Sequence, residues 1–224
     1  MSGGEPQRRG RPREGPTITG YGPSDPGLAD AYAVEDEVLL RARRQSELAT
    51  VRPVSPASGA ALQLLAAALD ARSVAEIGTG AGVSGICLLR GMRPDGILTT
   101  VDVQPGLQRM AREMFAGAGF AASRARCIPG AALDVLPRLA DGQYDLVFCD
   151  GDPAESPEYL AESLRLLRPG GMVCFEGAVS ALDTAVFEAQ SHAARELVRT
   201  VREHRALLSA LLPVGDGLLC AVRR

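Results

Sequence analysis

The chain has 224 residues, 46% of them hydrophobic, and a formal net charge of −3. That is enough apolar material for one α/β domain with a tail, and the charge gives no global footprint for nucleic acid. No apolar run approaches a membrane span, and the N-terminal "MSGGEPQRRGRPREGP" lacks the apolar stretch of a secretory signal. A cytoplasmic protein with no nucleic-acid or membrane partner is therefore expected.

All 24 basic residues are Arg, so Schiff-base chemistry and a lysine general base are excluded. The five cysteines, Cys87, Cys127, Cys149, Cys174 and Cys220, form no C-x-x-C pair and sit mostly among apolar residues. Reduced core thiols are expected rather than disulfides or a metal cluster.

In chain order, residues 1–27 are rich in Gly, Pro and Arg without apolar periodicity and read as a disordered tail. Residues 28–224 read as one domain. Helical spacing runs from Leu28 to about Leu48. A second helix follows in "VSPASGAALQLLAAAL", with Ser55 as its cap and Pro56 at its first position. Strands and helices then alternate: "SVAEI", a helix over Val83–Arg90, "ILTTVDV", and a helix over Pro105–Ala118. They continue with a strand in "SRARCIPG", a helix over Ala131–Leu139, "YDLVFCD", the helix "SPEYLAESLRLL" and the strand "GMVCFEG". A long helix is expected from about Ala181 to Glu203, then two strands around the Gly-Asp-Gly turn of "ALLSALLPVGDGLLCAVRR". This pattern predicts an α/β fold: a doubly wound, Rossmann-like, seven-stranded sheet with an antiparallel C-terminal hairpin and two N-terminal helices.

The first strand runs into "AEIGTGAGVSG". Read from Gly78 the loop is G-x-G-x-G; read from Gly80 it is G-x-G-x-x-G, the dinucleotide fingerprint. Asp102 ends the second strand and suits both hydroxyls of a ribose, which nicotinamide dinucleotides and S-adenosylmethionine share. Three features favour S-adenosylmethionine. Glu76 adds a negative charge that suits a sulfonium and an α-amino group, not a pyrophosphate. Gly78 follows directly on the strand. Downstream, "YDLVFCD" places Asp150 at the fourth strand's end, and "LLRPGG" launches the fifth.

The ordered set "VSPASGAALQLLA", "VAEIGTGAGVSG", "LTTVDV", "YDLVFCDGDP", "LLRPGGMV" and "LLPVGDGLLCAV" resembles the class I S-adenosylmethionine-dependent O-methyltransferase family that contains catechol and caffeoyl-CoA O-methyltransferases. In appearance the chain is nearest to the small-molecule O-methyltransferases of actinobacteria. The resemblance implies methyl transfer from S-adenosylmethionine to a hydroxyl of a small, aromatic or other, acceptor by a homodimer. It implies that Glu76, Gly78, Thr79 and Ser84 hold the methionine part, with Val54 closing over it. Asp102 would take the ribose, Val103 and Ala131 the adenine, and Asp152 the ammonium. Asp150 would face the acceptor.

The sequence departs from that family where a divalent metal is bound. "CFEGAV" stands where an Asp-Asn pair is expected, and Pro153 follows Asp150-Gly151-Asp152 where a lysine base is expected. Glu176 offers one oxygen and Gly177 no side-chain ligand, so metal dependence is doubtful, although two carboxylates and waters could hold Mg²⁺ weakly. The candidate bases are Asp150 and Glu176, and burial must raise their pKa for either to serve. His192 and His204 read as surface or packing residues. Two alternatives stay open: a cofactor-binding sensor whose catalytic site has decayed, and a nicotinamide-dependent oxidoreductase.

Overall fold

The computed structural model describes residues 25, 27–178 and 188–224. The expected N-terminal tail, save Asp25 and Gly27, and the first part of the expected late helix, 181–187, lie outside the described residues. Helices α1 (Gly27–Tyr32), α2 (Glu37–Leu48) and α3 (Pro56–Ala68) come first. The leading helical stretch is thus two helices, not one. Asp36 interrupts it because its side chain accepts a hydrogen bond from the Leu39 amide and starts α2 afresh. Ser55 caps α3 through its own Oγ, 3.1 Å from the Ser58 amide, and Pro56 occupies the first turn, where no amide is needed.

The alternation then follows: β1 (Ser73–Ile77), α4 (Val83–Gly91), β2 (Ile97–Asp102), α5 (Pro105–Gly117), β3 (Ala125–Pro129), α6 (Ala132–Val135), β4 (Tyr144–Cys149), α7 (Ser156–Leu166), β5 (Leu167–Phe175), α8 (Glu188–Glu203), β6 (Leu207–Leu212) and β7 (Leu218–Arg223). Two elements differ from expectation. The helix expected over 131–139 is one α turn that tightens to a 3₁₀ turn at Leu136–Arg138, where Pro137 cannot supply an amide to the α ladder. Strand β5 begins at Leu167, ahead of the two glycines. Tyr144 pairs with Leu167, the register then shifts, and Leu146 pairs with Met172.

The sheet order is β3-β2-β1-β4-β5-β7-β6, parallel from β3 to β5, with β7 antiparallel to both β5 and β6. Period-two alternation divides the core into two layers. Val74, Leu98, Leu146, Phe148 and Cys174 face one way, against α3, α4 and α5. Ala75, Ile77, Val101, Val147, Cys149 and Phe175 face the other, against α6, α7 and α8.

The register builds the site. Ile77 is level with Val101 on β2 and with Cys149 on β4, and Cys149 is level with Phe175 on β5. The next residues along these strands, Gly78, Asp102, Asp150 and Glu176, therefore line one edge of the sheet. That edge holds the carboxyl ends of the parallel strands. The strand order reverses between β1 and β4, which is where an open α/β sheet leaves a crevice.

Candidate active site

Three cavities adjoin along this edge, and Asp150 lines all of them. The first, 170 Å³, lies between the Gly78–Ser84 loop and the α2–α3 connection; Val54, Thr79, Ser84 and Asp102 are in its walls. The second, 340 Å³, is walled by Asp102, Val103, Ala131 and Asp152. The third, 320 Å³, is walled by Val54, Asp150, Tyr159, Phe175, Glu176 and Asp216, among others.

The glycine loop is held from behind. Gly78 adopts φ +89°, and a Cβ there would stand 2.3 Å from the Asp150 carbonyl oxygen. The position needs glycine because β1 and β4 converge on it, before any ligand is considered. Gly80 is also left-handed, at φ +51°, but a Cβ there would meet only Val51, at 3.5 Å, so this stretch of backbone lies open to the cavity. Gly82, at φ +92°, is the residue before α4, whose first-turn amides have no partners within the helix. Val83 and Ser84 of that turn line the 170 Å³ cavity, and a helix N-terminus there suits a carboxylate.

Asp102 serves the loop first. Its Oδ2 accepts hydrogen bonds from the Thr79 and Gly80 amides at 3.0 and 3.1 Å, and its Oδ1 accepts one from Gln104 at 2.8 Å. Of about four acceptor positions on a carboxylate, one remains on Oδ1. It is open to a ribose hydroxyl, the partner expected from sequence. The Thr79 hydroxyl is turned inward, 2.6 Å from that of Thr100 and 2.7 Å from the Gln108 amide nitrogen that donates to it. Thr79 therefore offers the cavity wall no free hydroxyl.

Glu76 stands apart from the other expected site residues. It is fully enclosed, lines none of the three cavities, and neither carboxylate oxygen has a hydrogen-bond partner among the described residues. Its side chain lies under the first turn of α4, where a Cβ on Gly85 would stand 3.3 Å from its Oε2. Burial pushes its carboxyl up to about 7, against the smaller opposing pull of the Ser84 and Thr100 hydroxyls. Asp152 caps the 3₁₀ turn at Pro153–Glu155 by accepting from the Ala154 amide at 2.9 Å. It stands in the wall shared with Val103 and Ala131, not in that of the glycine-loop cavity.

Around the third cavity, enclosure by the cleft walls, then the neighbouring charges of Glu176, Glu76 and Asp216, push the Asp150 carboxyl up to about 8. The group is accessible to water within the cleft, and its side chain accepts no hydrogen bond from the described residues. Burial likewise raises Glu176 to about 7, partly offset by the Ser58 hydroxyl, which donates to its Oε1 at 2.9 Å. Arg52 spans the mouth of this cavity to Asp216, 2.7 Å away. Among the described residues, no three His, Cys, Asp or Glu side chains converge as a cation site would need. His204 accepts the Ala206 amide through Nδ1, and His192 lies 3.9 Å from Glu196; neither lines these cavities.

Ser58, Arg52, Asp216, Gln108 and Tyr159 were not singled out from sequence. Gln108 carried a signal: a polar residue on the buried face of α5, beside Leu107 and Ala111. Asp216 was visible only as a turn residue. The tertiary fold brings its loop to α3.

A crevice at the switch point, a glycine loop opening a helix and an acid ending β2 define a nucleoside-cofactor site in a doubly wound α/β fold. A family model described as O-methyltransferase matches residues 30–224. The protein named "Probable O-methyltransferase Rv1220c" from Mycobacterium tuberculosis is 48% identical over 198 residues, covering 87% of this chain and 88% of that one. Among solved structures, the O-methyltransferase TomG of Streptomyces achromogenes, in complex with SAM, superposes with a TM-score of 0.77 at 29% identity, covering 86% of this chain and 92% of that one. The O-methyltransferase of Bacillus cereus, in complex with SAH, gives 0.78 at 26% identity, covering 88% and 95%. The chain belongs to the O-methyltransferase family, and its cofactor is S-adenosylmethionine.

Proposed function

We propose that the protein moves the methyl group of S-adenosylmethionine to a hydroxyl of a small molecule held in the 320 Å³ cavity. The observation that carries this reading is Asp150, which stands where the three cavities meet, one residue beyond β4. When bound, the cofactor supplies a methyl group already activated on a cationic sulfur.

In this reading Gly78, Ser84 and the first amides of α4 hold the methionine part, with Val54 closing over it. The Thr79 backbone is tied to Asp102, and Asp102 holds the ribose through Oδ1. Val103 and Ala131 flank the base. Asp152 sits nearer the nucleoside than the ammonium. Glu76 acts through α4 and through its charge rather than by contact. Asp150 orients the acceptor hydroxyl at the reacting end, and Glu176 takes its proton. With Gly177 and Pro153 where a ligand pair and a lysine would serve in metal-dependent relatives, the reaction is read as metal-independent, with positioning supplying much of the rate.

The leading helices expose Tyr32, Leu40, Leu48 and Leu64, and the α1–α2 connection exposes Val34, which supports a homodimer through this part of the chain, to be checked by light scattering. No helix among the described residues is long and apolar enough to cross a membrane. A cytoplasmic location is proposed on the five cysteines, none of them in a disulfide among the described residues.

The test is calorimetric titration of S-adenosylhomocysteine into EDTA-treated protein, repeated with Mg²⁺ and with NADH in place of the nucleoside. Micromolar binding that Mg²⁺ leaves unchanged is expected. Absence of that binding, or NADH binding in its place, sinks the reading. Once an acceptor is in hand, kcat should rise with pH through about 7 as Glu176 ionises, and Glu176→Gln should flatten that rise.

A further inference from the structure

Resting on the methyltransferase reading, we propose that the acceptor is a hydroxyl compound that also carries a protonated amine, and that the cleft refuses acceptors bearing a carboxylate or phosphate.

The cavity is ready-made for a small ligand. Its 320 Å³ is at the low end for ligand pockets, room for one or two rings, and Pro53, Val54, Phe175, Ala178 and Leu197 give it apolar walls. Its charged groups are unbalanced. Among the described residues, Asp150, Glu176 and Asp216 line it, against one cation, Arg52. Arg52 is already engaged by Asp216 at 2.7 Å. Glu176 has one oxygen bonded to Ser58, and its other oxygen is enclosed without a hydrogen bond. Asp150 accepts none from the described residues.

A cofactor with a sulfonium, an ammonium and a carboxylate brings one net positive charge, and the carboxyls of Asp150 and Glu176, raised to about 8 and about 7, ionise fully only with a further cation beside them. No basic residue occurs in the sequence between Gly177 and Glu188. Burial, and then the crowding of these carboxylates, pushes Asp150 and Glu176 above the ordinary range, and a cation in the cleft offsets both. An added anion faces like charge in an enclosed site, where such juxtaposition is costly. The hydroxyl then lies toward Asp150 and Glu176, and the ammonium toward the Asp216 side.

The experiment uses the full chain saturated with S-adenosylhomocysteine and three matched phenols: tyramine, tyrosol and 4-hydroxyphenylacetate. Their dissociation constants are measured by calorimetry at low and high salt. Tyramine is expected to bind at least about tenfold tighter than 4-hydroxyphenylacetate, with tyrosol between them and the gap narrowing in high salt. Asp216→Asn, which frees Arg52, should shrink that gap several-fold. Equal or tighter binding of the carboxylate overturns the proposal. So does a gap untouched by Asp216→Asn, or failure of all three phenols to bind at millimolar concentration while S-adenosylhomocysteine binds. Failure of S-adenosylhomocysteine itself to bind overturns the methyltransferase reading, and this proposal with it.

Discussion

Gly78 and Glu76 sit two residues apart on the same strand end and answer to different physics. At Gly78 both the left-handed φ of +89° and the 2.3 Å approach to the Asp150 carbonyl forbid a side chain. Gly78→Ala is therefore expected to cost at least about 2 kcal/mol in denaturant unfolding and to abolish S-adenosylhomocysteine binding. At Glu76 the issue is ionisation. Its carboxyl titrates at about 7 in the folded protein and at 4.5 as a model group, so the folded state holds the proton more tightly. That stabilising contribution is fully present below pH 4.5 and is lost as pH rises through 7. Glu76→Gln removes this dependence. The difference in stability between wild type and variant should shift toward the variant, by on the order of 3 kcal/mol, between pH 4 and pH 8. A difference constant over that interval would show that Glu76 is not the buried titrating group. Sequence alone marked Glu76 as a residue that touches the cofactor. Its strand parity puts it on the α4 side of the sheet, and only the packing of α4 over that face shows how fully it is buried.

Most elements were legible because local chemistry and burial pattern agree in them. "SVAEI" is β1 residue for residue, and Ser55-Pro56 starts α3 with both the cap and the first-turn proline in use. Ser55 does more than cap. A Cβ on Gly215 would stand 2.7 Å from its Oγ, so α3 begins against the β6–β7 turn. Ser55→Ala should lower stability by about 1 kcal/mol, read as a fall in the thermal midpoint, with Ser55→Thr recovering part of it. Where local signals were silent, expectation slipped. The split between α1 and α2 depends on Asp36 turning its side chain onto the Leu39 amide, and helical periodicity runs on regardless of that turn. The early start of β5 depends on Leu167 finding Tyr144 across the sheet, a pairing that Pro169 and two glycines conceal in the sequence. The close crossing of α3 and α4 was also hidden. A Cβ on Gly91 would stand 2.1 Å from the Gln63 carbonyl, and nothing in "LLRGM" signals that neighbour.

At the scale of the molecule, the α2–α3 connection forms a wall of two of the three cavities at the sheet edge. Arg43 on α2 fastens that wall, donating to Glu35 through Nε and Nη2 and to the Val54 carbonyl through Nη1 at 2.7 Å. Val54 in turn lines both the glycine-loop cavity and the acceptor cavity. Arg43→Ala leaves Glu35 and that carbonyl without their partner, so a loss of about 1–3 kcal/mol is expected. S-adenosylhomocysteine affinity should fall with it, as calorimetry on the folded variant at low temperature would read. Unchanged affinity would show that the α2–α3 connection holds its place without this anchor.

What the sequence determined by itself was everything written in nearest-neighbour terms. The β-α alternation settles the doubly wound class, the glycine loop and the strand-ending acids mark one edge of the sheet, and the absence of lysine removes a whole class of base. These are consequences of periodicity and of what each side chain can chemically do. The tertiary structure decided which marked residues share a cavity. Asp102 spends three acceptor positions on its own loop, the Thr79 hydroxyl turns inward to Gln108, and Glu76 is shut under α4. Meanwhile Arg52, Ser58 and Asp216, from distant stretches of chain, close around Glu176. Hydrogen-bond occupancy and net charge in a cleft are properties of groups brought together by folding, so no pattern along the chain could carry them.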